Sequence, residues 1–183
     1  LCAGRRRAGM LLTVALVATL LPAGVVLTAG SASAADPATV GYVVTGGTNT
    51  VTPIDAAGDT AGTPIIVGAA PTSVAVSPDG SIAYVTDQLS NTVTPITIAT
   101  DTPGTAIAVG AQPTAVAFTP DGTTAYVTNY SDDTVTPITV ATNTPGTAIA
   151  VGLNPRGVAF SPDGAKAYVA NYGDNTVTPS PSP

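Results

Sequence analysis

The sequence predicts an all-β fold, a β-propeller of four-stranded antiparallel blades repeating every 42 residues, with about three to three and a half blades in this chain. Three observations carry that prediction. The landmarks Asp79, Asp121 and Asp163 stand 42 residues apart, and the same step links Tyr42, Tyr84, Tyr126 and Tyr168, and Pro53, Pro95, Pro137 and Pro179. Short runs of Val, Ile, Ala and Thr are cut at regular intervals by Gly, Pro, Asn and Asp. Residues that build exposed helices are scarce: charged residues make up 9%, against roughly 25% in an average soluble domain, and every one of the eleven acids is Asp.

The unit that begins at Pro113 shows how each element is predicted. Thr114 to Phe118 alternates large and small apolar residues and reads as a strand. Pro120-Asp121-Gly122 follows; Pro presets the first turn dihedral and Gly accepts a positive φ at the exit, so a tight hairpin is expected. Ala125 to Thr128 is the second strand. The next turn, Ser131-Asp132-Asp133, matches Thr48-Asn49, Ser90-Asn91 and Asp174-Asn175, and Asn or Asp tolerates the left-handed conformation there. Thr134 to Val140 is read as the third strand, Asn143 to Gly146 as a loop, and Thr147 to Val151 as the fourth strand. No segment has the periodicity of an amphipathic helix. Pro137 and its equivalents fall inside the third strand, so they must occupy a bulge or a position without a ladder hydrogen bond. Ala75, Ala117 and Ala159 are small enough to let neighbouring sheets approach closely near a central axis.

Composition restricts address and chemistry. Arg5-Arg6-Arg7, the apolar run Met10 to Leu21 and the small residues Ala32-Ser33-Ala34 have the layout of a secretory signal peptide over residues 1–34. An uncleaved membrane anchor is the competing reading; it is disfavoured because Pro22 interrupts an apolar run already short of the ~20 residues a span needs. The expected product is secreted or displayed at the cell surface, with no membrane span after cleavage. Residues 35–178 hold the repeats, and 179–183 read as a Pro/Ser tail or linker. Beyond residue 34 the chain carries eleven Asp against Arg156 and Lys166, a formal charge of −9. Such a surface has no footprint for phosphate backbones, and nucleic acid is excluded as a partner class. The lone cysteine, Cys2, lies in the presumed signal, so packing rather than disulfides must hold the mature chain.

The segments Tyr84-Val85-Thr86-Asp87, Tyr126-Val127-Thr128-Asn129 and Tyr168-Val169-Ala170-Asn171 resemble the signature of the YVTN family of β-propeller repeats. So does the wider unit: Pro113, the apolar strand, Pro-Asp-Gly, an Asn-Thr-Val segment and an Ile-x-Val-Gly ending. The resemblance covers residues 40–178. It implies an extracellular or surface protein, mostly seven-bladed, of the kind found in surface-layer-like proteins and in relatives of lactonases and lyases. The recurrent third-strand proline departs from the family pattern.

Seven blades of this period would need about 294 residues, so the chain accounts for part of a ring. A bare blade face of ~400 Å² forgoes roughly 10 kcal/mol of burial. Three resolutions are open: a truncated product, closure by self-association through the open blade faces, or an uncapped array.

The candidate contact residues lie on the turns: Tyr130 and Tyr172 after the repeated motif, Asp132, Asp133 and Asp174 in the second turn, and Arg156, which replaces Thr72 and Thr114 of the other units. The acids recur once per blade, which spreads them around a rim instead of gathering them on a cation, so no metal site is assigned. The sequence contains no His, the commonest general base, and no G-x-S-x-G motif, so no catalytic residue and no cofactor are assigned. The reading is an exported, non-catalytic binding module whose partner is a surface protein or glycan. The alternatives are a piece of a lactonase- or lyase-like enzyme whose active site lies in other blades, and a structural surface-layer-like envelope protein.

Overall fold

The structure is a computed structural model that describes residues 27–28, 40–56 and 58–181. Most of the predicted signal segment, 1–34, lies outside the described residues. Four antiparallel sheets follow one another along the chain. Blade 1 contains strands Leu27–Thr28, Val40–Thr45, Thr50–Asp55, Thr60–Ala61 and Ile65–Ile66. Blade 2 contains Pro71–Val76, Ile82–Asp87, Thr92–Thr97, Thr102–Pro103 and Ile107–Ala108. Blade 3 repeats this with Pro113–Phe118, Thr124–Asn129, Thr134–Thr139, Thr144–Pro145 and Ile149–Ala150, and blade 4 has Pro155–Phe160, Lys166–Asn171 and Thr176–Pro181. The all-β, propeller-type prediction holds.

The turns form where the residues dictate. Gly80, Gly122 and Gly164 adopt φ of +72°, +72° and +71° in the first hairpin. Asn49, Asn91, Asp133 and Asn175 adopt φ of 54° to 57° in the second, the left-handed state that Asn and Asp tolerate best after Gly. In the first hairpin the Asp Oδ1 accepts the Ser77, Thr119 or Ser161 hydroxyl and the N–H two residues on.

Two details differ from the sequence reading. The third strand stops at Thr139, because Val140–Thr142 turns into a short 3-10 helix capped by left-handed Asn143; Ile98–Thr100 and Asp101 do the same in blade 2. The fourth strand is split into two short pieces, 144–145 and 149–150, both paired to the third strand. That split explains the proline. The Pro137 carbonyl accepts the Gly146 N–H at 2.7 Å, so the backbone edge on which Pro lacks a donor faces the gap in the outer strand, not the ladder with the second strand. Pro53 and Pro95 are placed identically, against Gly62 and Gly104. The last strand continues through Pro181, three residues into the segment read as a tail.

Blades stack face to face, and their inner strands lie side by side. Thr72 Oγ1 donates to the Pro113 carbonyl at 3.1 Å, and Thr114 Oγ1 to the Pro155 carbonyl at 3.0 Å, each bond crossing to the next blade. Between blades 1 and 2 the core is Tyr42, Val44 and Val51 against Ala83, Val85 and Ile96. One period on, Tyr84 and Val93 pack against Ala125, Val127 and Ile138, and in the third core Tyr126 and Val135 pack against Ala167 and Val169, with Ser180 where the others have Ile. Tyr42 donates to Asp101 Oδ1 at 3.1 Å and Tyr84 to Asn143 Oδ1, so each ring hydroxyl is anchored in the following blade. Burial raises the Tyr42 and Tyr84 phenols, the latter to about 12. Among the described residues, no helix is long and apolar enough to cross a membrane.

Candidate functional site

The turns between second and third strands and the loops that enter each new blade are tied together. Each loop is clamped twice, once to the turn of the blade it leaves and once to that of the blade it enters. The Gln112 N–H donates to Asn91 Oδ1 at 2.9 Å and the Ala111 N–H to Asp132 Oδ2 at 2.6 Å. One period on, the Asn154 N–H donates to Asp133 Oδ1 at 2.7 Å and the Leu153 N–H to Asp174 Oδ2 at 3.1 Å. Asp132, Asp133 and Asp174 therefore present their carboxylates to backbone donors. The Thr176 hydroxyl and the Leu153 N–H hold the Asp174 carboxyl below the usual range. No group of three or more His, Cys, Asp or Glu side chains with metal-binding geometry occurs among the described residues.

The structure does bring three of the singled-out residues together. Arg156 sits at the bulge where the inner strand of blade 4 shifts register between Pro155 and Gly157, and such a bulge re-aims a side chain. Its guanidinium lies 4.2 Å from the ring centroid of Tyr172 and 5.2 Å from that of Tyr130. Tyr130 is fixed from below, since Asn154 Nδ2 donates to its carbonyl at 3.1 Å. Arg156 is exposed and Tyr172 is 63% exposed. In blades 2 and 3 the corresponding position is a threonine whose hydroxyl pairs with Thr86 or Thr128 at 2.9 Å. Blade 4 replaces both partners, with Arg156 and Ala170. Stacking on the rings limits the rotamers of the exposed guanidinium, and a guanidinium so held is suited to a carboxylate.

A second set of polar residues went unassigned in the sequence. Asp87, Asn129 and Asn171 close the second strand of blades 2 to 4, each at most 2% exposed. Thr92 and Thr94 donate to Asp87 Oδ2, and Asn129 and Asn171 bond the equivalent threonines at 2.8 to 3.0 Å. Gly68, Gly110 and Gly152 are required opposite them, because a Cβ there would lie about 2.6 Å from the side-chain carboxyl or carboxamide carbon. The signal was the shared fourth position of the repeated motif, which is Asp in blade 2 and Asn in blades 3 and 4. Burial is the dominant influence on Asp87 and raises its carboxyl above the usual range, against the opposing pull of the Thr94 and Thr92 hydroxyls. A shallow groove of about 490 Å³ lies elsewhere, at the outer edge between Ile107 and Asn143.

Comparison with known proteins agrees with this architecture. No curated protein matches the chain. Among solved structures, hydrazine synthase from Kuenenia stuttgartiensis is similar over 78% of this chain and 42% of its own, with 26% identity and a TM-score of 0.74. A functionally unknown protein from Desulfotomaculum acetoxidans is similar over 76% and 50%, with 22% identity and a TM-score of 0.65. The chain thus spans half or less of the structures it resembles. Residues 67–180 match the family model described as lactonase, seven-bladed β-propeller. With four stacked blades of one repeating sheet and this match over more than half its length, the chain belongs to the lactonase family of seven-bladed β-propellers.

Proposed function

We propose that this chain is the blade array of an exported YVTN-type propeller that works as a non-catalytic binding module at the cell surface, with the Arg156–Tyr130–Tyr172 stack as its contact point. One observation carries the reading. The single cationic break in the repeated rim coincides with two aromatic side chains, both within 5.2 Å of its guanidinium. The partner it suits is a carboxylate on a surface glycan or protein, met by a guanidinium whose rotamers are already restricted.

Arg156→Thr tests this with little risk to the fold, because Thr is the residue the same position carries in blades 2 and 3. Binding of the full chain to arrays of carboxylated and neutral glycans, and to purified surface proteins of the source cell, should fall at least tenfold in the variant with its melting temperature unchanged. Equal binding by the two proteins overturns the contact point. The family assignment favours a second reading, hydrolysis of a lactone. Turnover of a lactone panel by the full chain would establish that reading in place of the first.

A further inference from the structure

Neighbouring blades also meet at the perimeter, where their outer strands adjoin, and between blades 2 and 3 they leave a groove of about 490 Å³. One wall is the outer strand of blade 2, with Thr105, Ile107 and Ala108. The other is the 3-10 turn and outer strand of blade 3, with Thr142, Asn143 and Pro145. Both blades have a neighbour on each side within this chain.

The polar groups of the groove are held in place and left without partners. The buried Tyr84 donates to Asn143 Oδ1, and Asn143 is itself fixed at φ of 53° as the cap of the 3-10 turn, its N–H on the Val140 carbonyl. With Oδ1 taken, Nδ2 is the free end of the carboxamide, a donor with no partner among the described residues. The hydroxyls of Thr105 and Thr142, both exposed residues, are likewise unpartnered there. Ile107, buried, together with exposed Ala108 and Pro145, supplies apolar surface beside them.

This lining selects by chemistry. Among the described residues no charged side chain lines the groove, so neither an anion nor a cation finds a counter-charge. No aromatic ring lines it either, so a flat base has no stacking plane. Hydroxyls that donate and accept, an amide that donates and small apolar surfaces are the complement of a pyranose, whose hydroxyl edges adjoin C–H faces. The volume lies within the ~300–1,000 Å³ of small-molecule sites.

The neighbouring junction supplies a contrast. Between blades 1 and 2, Thr63, Ile65 and Thr100 repeat the walls, but Asp101 stands in place of Asn143 and Ile66 in place of Ala108. Asp101 keeps the bond from the tyrosine, here Tyr42, yet as a carboxylate it has no N–H to give and adds charge. Ile66, 76% exposed, adds bulk where Ala108 leaves space.

We propose that the groove between the outer strands of blades 2 and 3 binds an uncharged hexopyranose, free or at the end of a glycan. Asn143, Thr105 and Thr142 take its hydroxyls, and Ala108 and Pro145 meet its C–H face. The site is separate from the Arg156 stack and takes a ligand of different charge.

The experiment is a nuclear magnetic resonance titration of the full chain with glucose, galactose, mannose and N-acetylglucosamine, each as the free sugar and as its methyl glycoside. At least one should bind with a dissociation constant in the millimolar range, the scale of a few neutral hydrogen bonds to a small ligand. It should move the backbone signals of Thr105 to Ala108 and the side-chain amide of Asn143. Binding of the methyl glycoside assigns the site to glycan ends, and binding of the free sugar alone assigns it to the free form. Asn143→Asp and Ala108→Ile install residues that the neighbouring junction already carries, so the melting temperature should hold while binding falls at least tenfold in each. Thr105→Val should weaken binding about fivefold, the scale of one neutral hydrogen bond. Arg156→Thr should leave it unchanged, which separates this site from the rim. The proposal is overturned if none of these sugars moves the groove signals at tens of millimolar, or if binding survives Asn143→Asp or Ala108→Ile. Tighter binding of glucuronate or glucosamine at the same signals overturns it as well.

Discussion

Among the described residues Asp87 is the one acid that the fold buries completely, and the chain supplies its own control, because blades 3 and 4 place Asn129 and Asn171 in the same socket. Its carboxyl is raised above the unfolded value by burial, so its ionised form opposes folding: stability is fuller below the usual Asp range and declines as pH rises through it. Asp87→Asn should therefore raise the melting temperature at pH 7 by about 3 °C, the scale of one kcal/mol in a domain of this size. The gain should shrink as pH is lowered through the carboxylate range. Calorimetry between pH 3 and 7 checks it, and a constant difference would show that charge is not the cause. Asp79, Asp121 and Asp163 behave in the opposite sense. Their neighbouring hydroxyl and backbone donors lower the carboxyl, so the stability they add is present above the usual Asp range and disappears as pH falls below it.

At the scale of the element, a blade is decided by where backbones touch. Gly110 meets Asn129 so closely that a Cβ would sit 2.6 Å from the carboxamide, whereas the space beside Gly41 is open to 4 Å and more. Gly110→Ala should cost about 2 kcal/mol through overpacking, while Gly41→Ala, which reproduces Ala83 and Ala125, should be neutral or slightly stabilising; chemical denaturation of the two variants compares them. Hairpins and registers were legible because their determinants are local: Pro-Asp-Gly specifies one turn, Asn or Asp at the left-handed position specifies the next, and alternation specifies the strands. The interrupted outer strand was not legible. Thr144 and Pro145 read as loop residues, and their pairing with Ile138 and Thr139 depends on the 3-10 turn that Val140–Thr142 makes first.

Across the whole molecule, identical residues differ in energetic weight according to their place in the stack. Val135 and Val177 occupy the same position one period apart, yet one is 1% and the other 60% exposed. In dilute solution Val135→Lys should destabilise the chain by about 4 kcal/mol or more, since it buries an unpaired charge, and Val177→Lys should change it by less than about 0.5 kcal/mol. Urea titration of both variants decides this, and equal losses would mean that blade 4 is covered. The rim shows the same dependence on place. Tyr130, Tyr172 and Arg156 were each visible as departures or repeats in the sequence, but their convergence was not, because the bulge at Pro155 and the 42-residue return to the same face bring them within reach. The opposite happened to Asp132, Asp133 and Asp174: their turns were legible, and the backbone donors that occupy their carboxylates belong to loops 21 residues away.

By itself, the sequence determined the repeat, the β class, the turn types and the residues available at every rim position, because each follows from backbone preference and local alternation. Only the tertiary structure decided which copies of a repeated residue are sealed and which are open, and which rim residues meet. Those outcomes depend on the neighbour that each blade packs against, and in a chain of near-identical units no local pattern carries that information.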